Sequence, residues 1–145
     1  MKLERVFNLS AYTESYTAER FGYKEQYIPS DEVIGNLEYL HDNITIPLLG
    51  VLKGDLHCSS GYRCERTNTA VKGSKTSQHV YGQACDYKYF EKGKLRSDIL
   101  LKAFLNLSIN FDQCIKEFGD DSNPAWIHIS LKKEGTNRKQ ILRIK

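Results

Sequence analysis

Two imidazoles and a carboxylate are the residues of this chain best suited to chemistry. They are His79 and Asp86 in Ser77-Gln-His79-Val-Tyr-Gly82-Gln-Ala-Cys-Asp86, and His128 in Trp126-Ile-His128-Ile-Ser130. Two neutral imidazoles and one aspartate suit Zn²⁺ in a catalytic site, where three protein ligands leave a fourth position for water. A structural zinc site is more often closed by four cysteine or histidine ligands. The spacing differs from a helical His-Glu-x-x-His pair, which places both ligands on one helix face. Here Gly82 separates His79 from Asp86, which predicts a loop carrying His79, a glycine turn, and a strand carrying Asp86. The remaining histidines, His41 in a helical run and His57 in an apparent strand, are assigned no role.

Around these residues the sequence resembles the zinc D-Ala-D-Ala peptidase family. That family includes D-alanyl-D-alanine carboxypeptidases, the D,D-dipeptidases of vancomycin resistance, and L-alanyl-D-glutamate endopeptidases used as phage endolysins. The matching positions are Ser77-x-His79-x-x-Gly82-x-Ala84-x-Asp86 and Trp126-x-His128. Ser59-Ser60-Gly61-Tyr62-Arg63, Asn68-x-Ala70-Val71-x-Gly73 and Phe111-Asp112-Gln113 match as well. The resemblance runs from about Phe7 to Arg143 and is closest to a compact, single-domain branch found in phages and gut bacteria. It implies Zn²⁺ held by His79, Asp86 and His128, a hedgehog-like zinc peptidase fold, and peptidoglycan stem peptides as substrate.

Hydrolysis by a metal-activated water also needs a carboxylate to take the water's proton and pass it to the leaving amine. Many relatives place that acid three residues before the last histidine, where this chain has Ala125. Glu117 is the expected substitute. If the segments around Phe111–Phe118 and Trp126–Leu131 pair as a hairpin, Glu117 falls opposite Trp126, and Ile115, Glu117, Trp126 and His128 share one sheet face. The resembling branch also has an acid at this point. Asp120 and Asp121 remain alternatives in a Gly-Asp-Asp-Ser turn. Arg63 offers a fork of donors for a substrate carboxylate, and the resemblance implies that it also steadies the developing oxyanion. By the same resemblance Ser77 bonds near the substrate, while Asp112 and Gln113 are read as supporting residues.

The elements that must position these groups follow from periodicity. Pro29-Ser30-Asp31-Glu32 begins a helix with Ser30 as cap. Val33, Ile34, Leu37, Leu40 and Ile44 carry it to about Thr45, with Pro47 near or beyond its end. Strands are expected over Leu56–Tyr62, Ala84–Phe90, Phe111–Phe118, Trp126–Leu131 and Gln140–Ile144, a short helix over Thr67–Val71, and a longer helix from Ser97 to Leu107. Residues 1–30 form a tyrosine-rich lead-in whose aromatic residues Tyr12, Tyr16, Phe21, Tyr23 and Tyr27 are expected to pack over the core, with stacking for wall sugars as the alternative. The predicted fold class is α+β, a mostly antiparallel sheet with helices on one side, in a single domain spanning residues 1–145.

Composition narrows the function classes. The chain has 145 residues and a net charge of +3, without the basic stripe that nucleic-acid binding requires. No apolar run is long enough to span a bilayer. The four cysteines form no Cys-x-x-Cys pair and are expected as reduced thiols. Cys85 points away from Asp86 on an extended strand and is therefore not expected as a ligand. Met1–Phe7 lacks the apolar core of a secretory signal, so the protein is expected to be made in the cytoplasm and to reach the wall after release, as a phage-encoded protein would. Two peptidase activities stay open, D-Ala-D-Ala carboxypeptidase and endolysin-type endopeptidase. Ala125 also keeps open a non-catalytic zinc-containing binding or virion structural module on the same scaffold.

Overall fold

A computed structural model describes all residues, Met1–Lys145. Six strands form one sheet: β1 (Asp55–Ser60), β2 (Ala84–Glu91), β3 (Lys94–Leu95), β4 (Gln113–Glu117), β5 (Trp126–Ser130) and β6 (Gln140–Ile144), in the order β1-β2-β5-β4-β6, with β3 beside β2. Alternation along each strand sorts side chains onto two faces. One face is apolar, with Leu56 opposite Tyr89, Cys58 opposite Tyr87, Tyr87 opposite Ile127, and Cys85 and Cys114 flanking Ile129. All eight of these side chains belong to one buried cluster.

Helices cover that face. They are α1 (Leu9–Thr13), α3 (Asp31–Leu40), α4 (Ile46–Val51) and α6 (Ser97–Asn106), contributing Tyr12, Leu37, Leu40, Leu48, Leu100 and Phe104 to the cluster. Each such side chain contributes about 1.5–3 kcal/mol on full burial, far more than helix propensity supplies. A second group consists of α2 (Tyr16–Phe21), α5 (Glu65–Ala70) and a 3₁₀ turn at Gln78–Tyr81. Thr17, Thr67 and Gln78 from this group border the polar face that carries Asp86 and Lys88. Helical segments therefore border both faces rather than one. The chain after β1 has to cross the polar face to deliver His79 there.

Two further expectations change. The sheet is mixed rather than mostly antiparallel, because β6 runs parallel to β4. Both edges of β5 are already occupied, by β2 and β4. The returning chain therefore reaches the free edge of β4, and one reversal after β5 makes it parallel to the strand it skips. The long helix also does not stop at Thr45. Ser30 caps α3 by accepting from the Val33 N–H. The path then widens into a π turn at His41–Thr45 and continues as α4, with Pro47 in its first turn. Proline lacks an N–H, and in a regular helix its ring collides with the carbonyl four residues back. In the wider turn the Ile46 N–H bonds the carbonyl of His41 instead.

The aromatic lead-in divides. Tyr12 is fully buried, its hydroxyl bonded to His41 Nδ1 at 2.7 Å and Thr45 Oγ1 at 2.8 Å. His41 is thus a satisfied core residue, its Nε2–H donating to the Arg5 carbonyl. Tyr16, Phe21 and Tyr27 are exposed instead. Tyr23 stacks on Phe21 under the Arg66 guanidinium. All four cysteines are free and buried.

Candidate metal centre

Sheet register alone brings two of the three candidate ligands together, because Asp86 of β2 lies directly opposite His128 of β5. Across that pair, His128 Nδ1 is 2.9 Å from Asp86 Oδ1. The third candidate ligand, His79, arrives on the 3₁₀ turn. Ser77 Oγ accepts from the His79 N–H at its start, and Gly82 ends it in the left-handed region at φ 71°. A side chain at Gly82 would meet the Val33 carbonyl at 2.8 Å, so glycine is required there for space as well as for φ.

The segment just after β1 grips this turn at two points. The Arg63 N–H donates to the His79 carbonyl at 3.0 Å, and His79 Nδ1 lies 2.6 Å from the Gly61 carbonyl. A carbonyl only accepts, so Nδ1 carries the proton and Nε2 presents its lone pair inward. His79 Nε2 lies 3.2 Å from both His128 Nδ1 and Asp86 Oδ1. The edges of this triangle, 2.9–3.2 Å, compare with about 3.3–3.4 Å between ligands around a tetrahedral zinc at about 2.0–2.1 Å. The donor set and its spacing fit Zn²⁺.

All three side chains are buried, His79 at 3%, Asp86 at 4% and His128 at 8% relative exposure. Burial pushes the Asp86 carboxyl upward. When the imidazoles of His79 and His128 also carry protons toward it, their charge and hydrogen bonds outweigh burial and hold the pKa well below the usual carboxylate range. A carboxylate this deep requires cationic company, and the centre is arranged to supply it.

Around the triangle stand the other site residues. Arg63 Nη2 approaches Asp86 Oδ2 at 3.6 Å, while its Nε donates to Ser60 Oγ and its Nη1 to Asn68 Oδ1. Gly73 packs so closely on Asn68 and Arg63 Nη1 that no side chain fits between them. Glu117 pairs with Trp126 across β4 and β5, and its Oε2 accepts from Trp126 Nε1 at 3.1 Å. The same oxygen is 3.9 Å from His128 Nδ1. Burial first and the Asp86 charge second raise the Glu117 pKa, with His128 opposing. Ser77 lines the cleft, but its hydroxyl is engaged in capping the turn.

The competing acids are elsewhere. Asp120 accepts from Ser122 and Asn123 within its own turn, and Asp121 pairs with Arg143. Asp112 is fully buried and holds both the backbone N–H and the guanidinium of Arg138. Gln113 bonds Gln140 on β6.

The centre sits between two lobes of one cleft, of about 590 and 550 Å³. Arg63, Lys72, Gly73, Glu117 and Phe118 line both lobes. Asp86 faces the first, with Tyr16, Lys88 and Trp126, and His79 and His128 face the second, with Ser77 and Gln78. Sequence reasoning missed the Gly61 carbonyl and the Asn68 clamp as working parts, although both stand in the motifs quoted for the resemblance. The start of α2, Glu14–Thr17, was not assigned to the cleft, although Ser15 is a readable cap and accepts from the Ala18 N–H.

Residues 48–130, more than half of the chain, match the sequence model of the Peptidase M15 family. The chain belongs to this family of zinc D-Ala-D-Ala peptidases. A comparison with curated proteins gives no significant match. In this M15 peptidase the matched stretch contains His79, Asp86, His128, Glu117 and Arg63. Glu14, Ser15, Tyr16 and Thr17 lie outside it, yet they form one wall of the first lobe. The Gln26 side chain ties this wall to the site, donating to the Thr13 and Tyr62 carbonyls and accepting from the Cys64 N–H.

Proposed function

We propose that the protein is a zinc metallopeptidase that hydrolyses stem-peptide bonds of peptidoglycan. The observation that carries this reading is the convergence of His79 Nε2, Asp86 Oδ1 and His128 Nδ1 beside the Glu117 carboxylate on the floor of a cleft. Zinc bound there supplies a Lewis acid for the scissile carbonyl and lowers the pKa of water toward neutrality. The chain's own groups do the rest. Glu117 takes a proton from the attacking water and returns it to the amine nitrogen as the C–N bond breaks. The Trp126 indole N–H orients the carboxylate without competing for its second oxygen.

Arg63, fixed by Ser60 and Asn68, presents guanidinium charge to the oxygen that becomes negative as the carbonyl carbon turns tetrahedral. The Gly61 carbonyl keeps His79 in one tautomer and one orientation. Ser77 fixes the backbone that carries His79. Carboxypeptidase and endopeptidase activity remain the two forms of this reading. In either form the protein acts where stem peptides are exposed, as a released lytic enzyme does.

Ala125, in place of the acid found in many relatives, favours a second reading as a non-catalytic zinc module. Incubating zinc-loaded protein with purified sacculi and stem peptides, with products identified by mass spectrometry, separates the two. Release of D-Ala or of internal fragments supports the peptidase and locates the bond. Intact substrate at every pH and enzyme concentration overturns it.

A further inference from the structure

Lys88 lies two positions beyond Asp86 on β2, on the same polar face of the sheet. It is half-buried and lines the first lobe with Arg63, Asp86, Glu117 and Trp126. Its ammonium has no carboxylate partner and no hydrogen bond, and its neighbour is the Trp126 ring, 5.8 Å from Nζ to centroid. The other charges of the lobe are Glu14, Arg63, Lys72, Asp86 and Glu117. Asp86 is engaged by the imidazoles and Arg63, and Glu117 by Trp126. Glu14 and Lys72 are both exposed, and Lys72 is also unpaired. The lobe thus carries a cation at Lys88 that no carboxylate of the protein pairs.

An ammonium that lines the cleft and is paired by no protein group is open to an anionic group of a ligand. We infer that Lys88 is a specificity-determining residue that binds a carboxylate of the substrate within two residues of the scissile bond. The reach follows from strand geometry. Two residues along β2 separate Lys88 from Asp86 by about 6.7 Å, and an extended peptide advances about 3.3–3.6 Å per residue. The Trp126 face beside the ammonium shields the contact from water and strengthens it. The assignment rests on the peptidase reading and adds the substrate's charge to it.

The test uses two stem peptides that differ only in whether a carboxylate within two residues of the cut is free or amidated. The zinc-loaded wild type is expected to cleave the free-carboxylate peptide with a kcat/KM about 10- to 100-fold higher, the effect of one charge-assisted contact. The difference should reside mainly in KM. Lys88→Met should bring the two peptides to the same kcat/KM with zinc content intact, and Lys88→Arg should restore much of the preference. A wild type that treats the peptides alike, or a Lys88→Met variant that keeps the preference, overturns the inference. If the wild type cleaves neither peptide, the peptidase reading fails separately. The fluorescence of Trp126, the single tryptophan, then reports binding in this lobe. Tighter binding of the free carboxylate that is lost in Lys88→Met upholds the subsite, and equal binding overturns it.

Discussion

Glu117→Gln separates chemistry from architecture at this site. Glutamine has nearly the same volume, and its amide oxygen can still accept from Trp126 Nε1, the one hydrogen bond the Glu117 side chain makes. The β4–β5 register, with Glu117 opposite Trp126 and Ile115 opposite His128, is therefore preserved. The group also lies 3.9 Å from His128 Nδ1, outside bonding distance, so the ligand triangle is not disturbed. The substitution removes only the ability to accept a proton. A positioned general base is worth about 10²–10⁴ in rate, or about 3–5 kcal/mol of barrier. The assay is steady-state hydrolysis of a stem peptide, with zinc measured on the same sample. The expected result is kcat lowered by about 10²–10⁴, with KM, zinc stoichiometry and Tm close to wild type. Full activity in Glu117→Gln refutes the assignment. A loss of rate in Asp120 or Asp121 variants with Glu117→Gln active moves the proton transfer to the loop.

Two predictions concern the supports of the site. Gly73→Ala inserts a methyl group against Asn68 and Arg63 Nη1. Arg63 should be displaced, lowering kcat/KM by about tenfold or more, the value of one charge-assisted hydrogen bond, while zinc binding stays intact. Unchanged kinetics would show that the Asn68–Arg63 contact does not position the guanidinium. Asp112, buried against Arg138, has its pKa lowered by that hydrogen-bonded guanidinium from 3.8 to about 2. A lowered folded-state value means the ionised form favours folding. Its contribution is complete above pH 3.8 and is lost as pH falls toward 2. The shift corresponds to about 2 kcal/mol, reduced toward about 1 kcal/mol because Arg138 is half exposed. Acid unfolding of the wild type should steepen through that window, and Asp112→Asn should be less stable at neutral pH and flatter below pH 4. Parallel curves would contradict the linkage.

The sequence was most legible where local chemistry and strand alternation decide. His79 and Asp86 are punctuated by Gly82, whose left-handed φ the turn requires. Glu117 meets Trp126 because side-chain period two leaves few registers for a half-buried hairpin. The cap at Ser30 and the strand Gln140–Ile144 were readable for the same local reasons. What escaped depends on distant parts of the chain. The helix runs past Thr45 because Ile44 and Leu48 both bury in the core, and this outweighs the local cost of Pro47. The parallel docking of β6 follows from which edges were already taken, which no local pattern records. Tyr16 was grouped with Tyr12, but only Tyr12 reaches the core; Tyr16 stands in the cleft wall at 80% exposure. Lys88 carries no local signal, and only its neighbour across the sheet, Trp126, sets it apart.

The most direct test of the account is the coordination of the metal itself. X-ray absorption on the zinc-loaded protein, with stoichiometry on the same sample, should give one zinc per chain bound by two imidazole nitrogens and a carboxylate oxygen at about 2.0–2.2 Å, with a further light-atom ligand from solvent. That signal should vanish in His79→Ala and in His128→Ala. Substoichiometric zinc, a sulfur shell from the cysteines, or zinc retained in both variants would contradict the centre proposed for His79, Asp86 and His128.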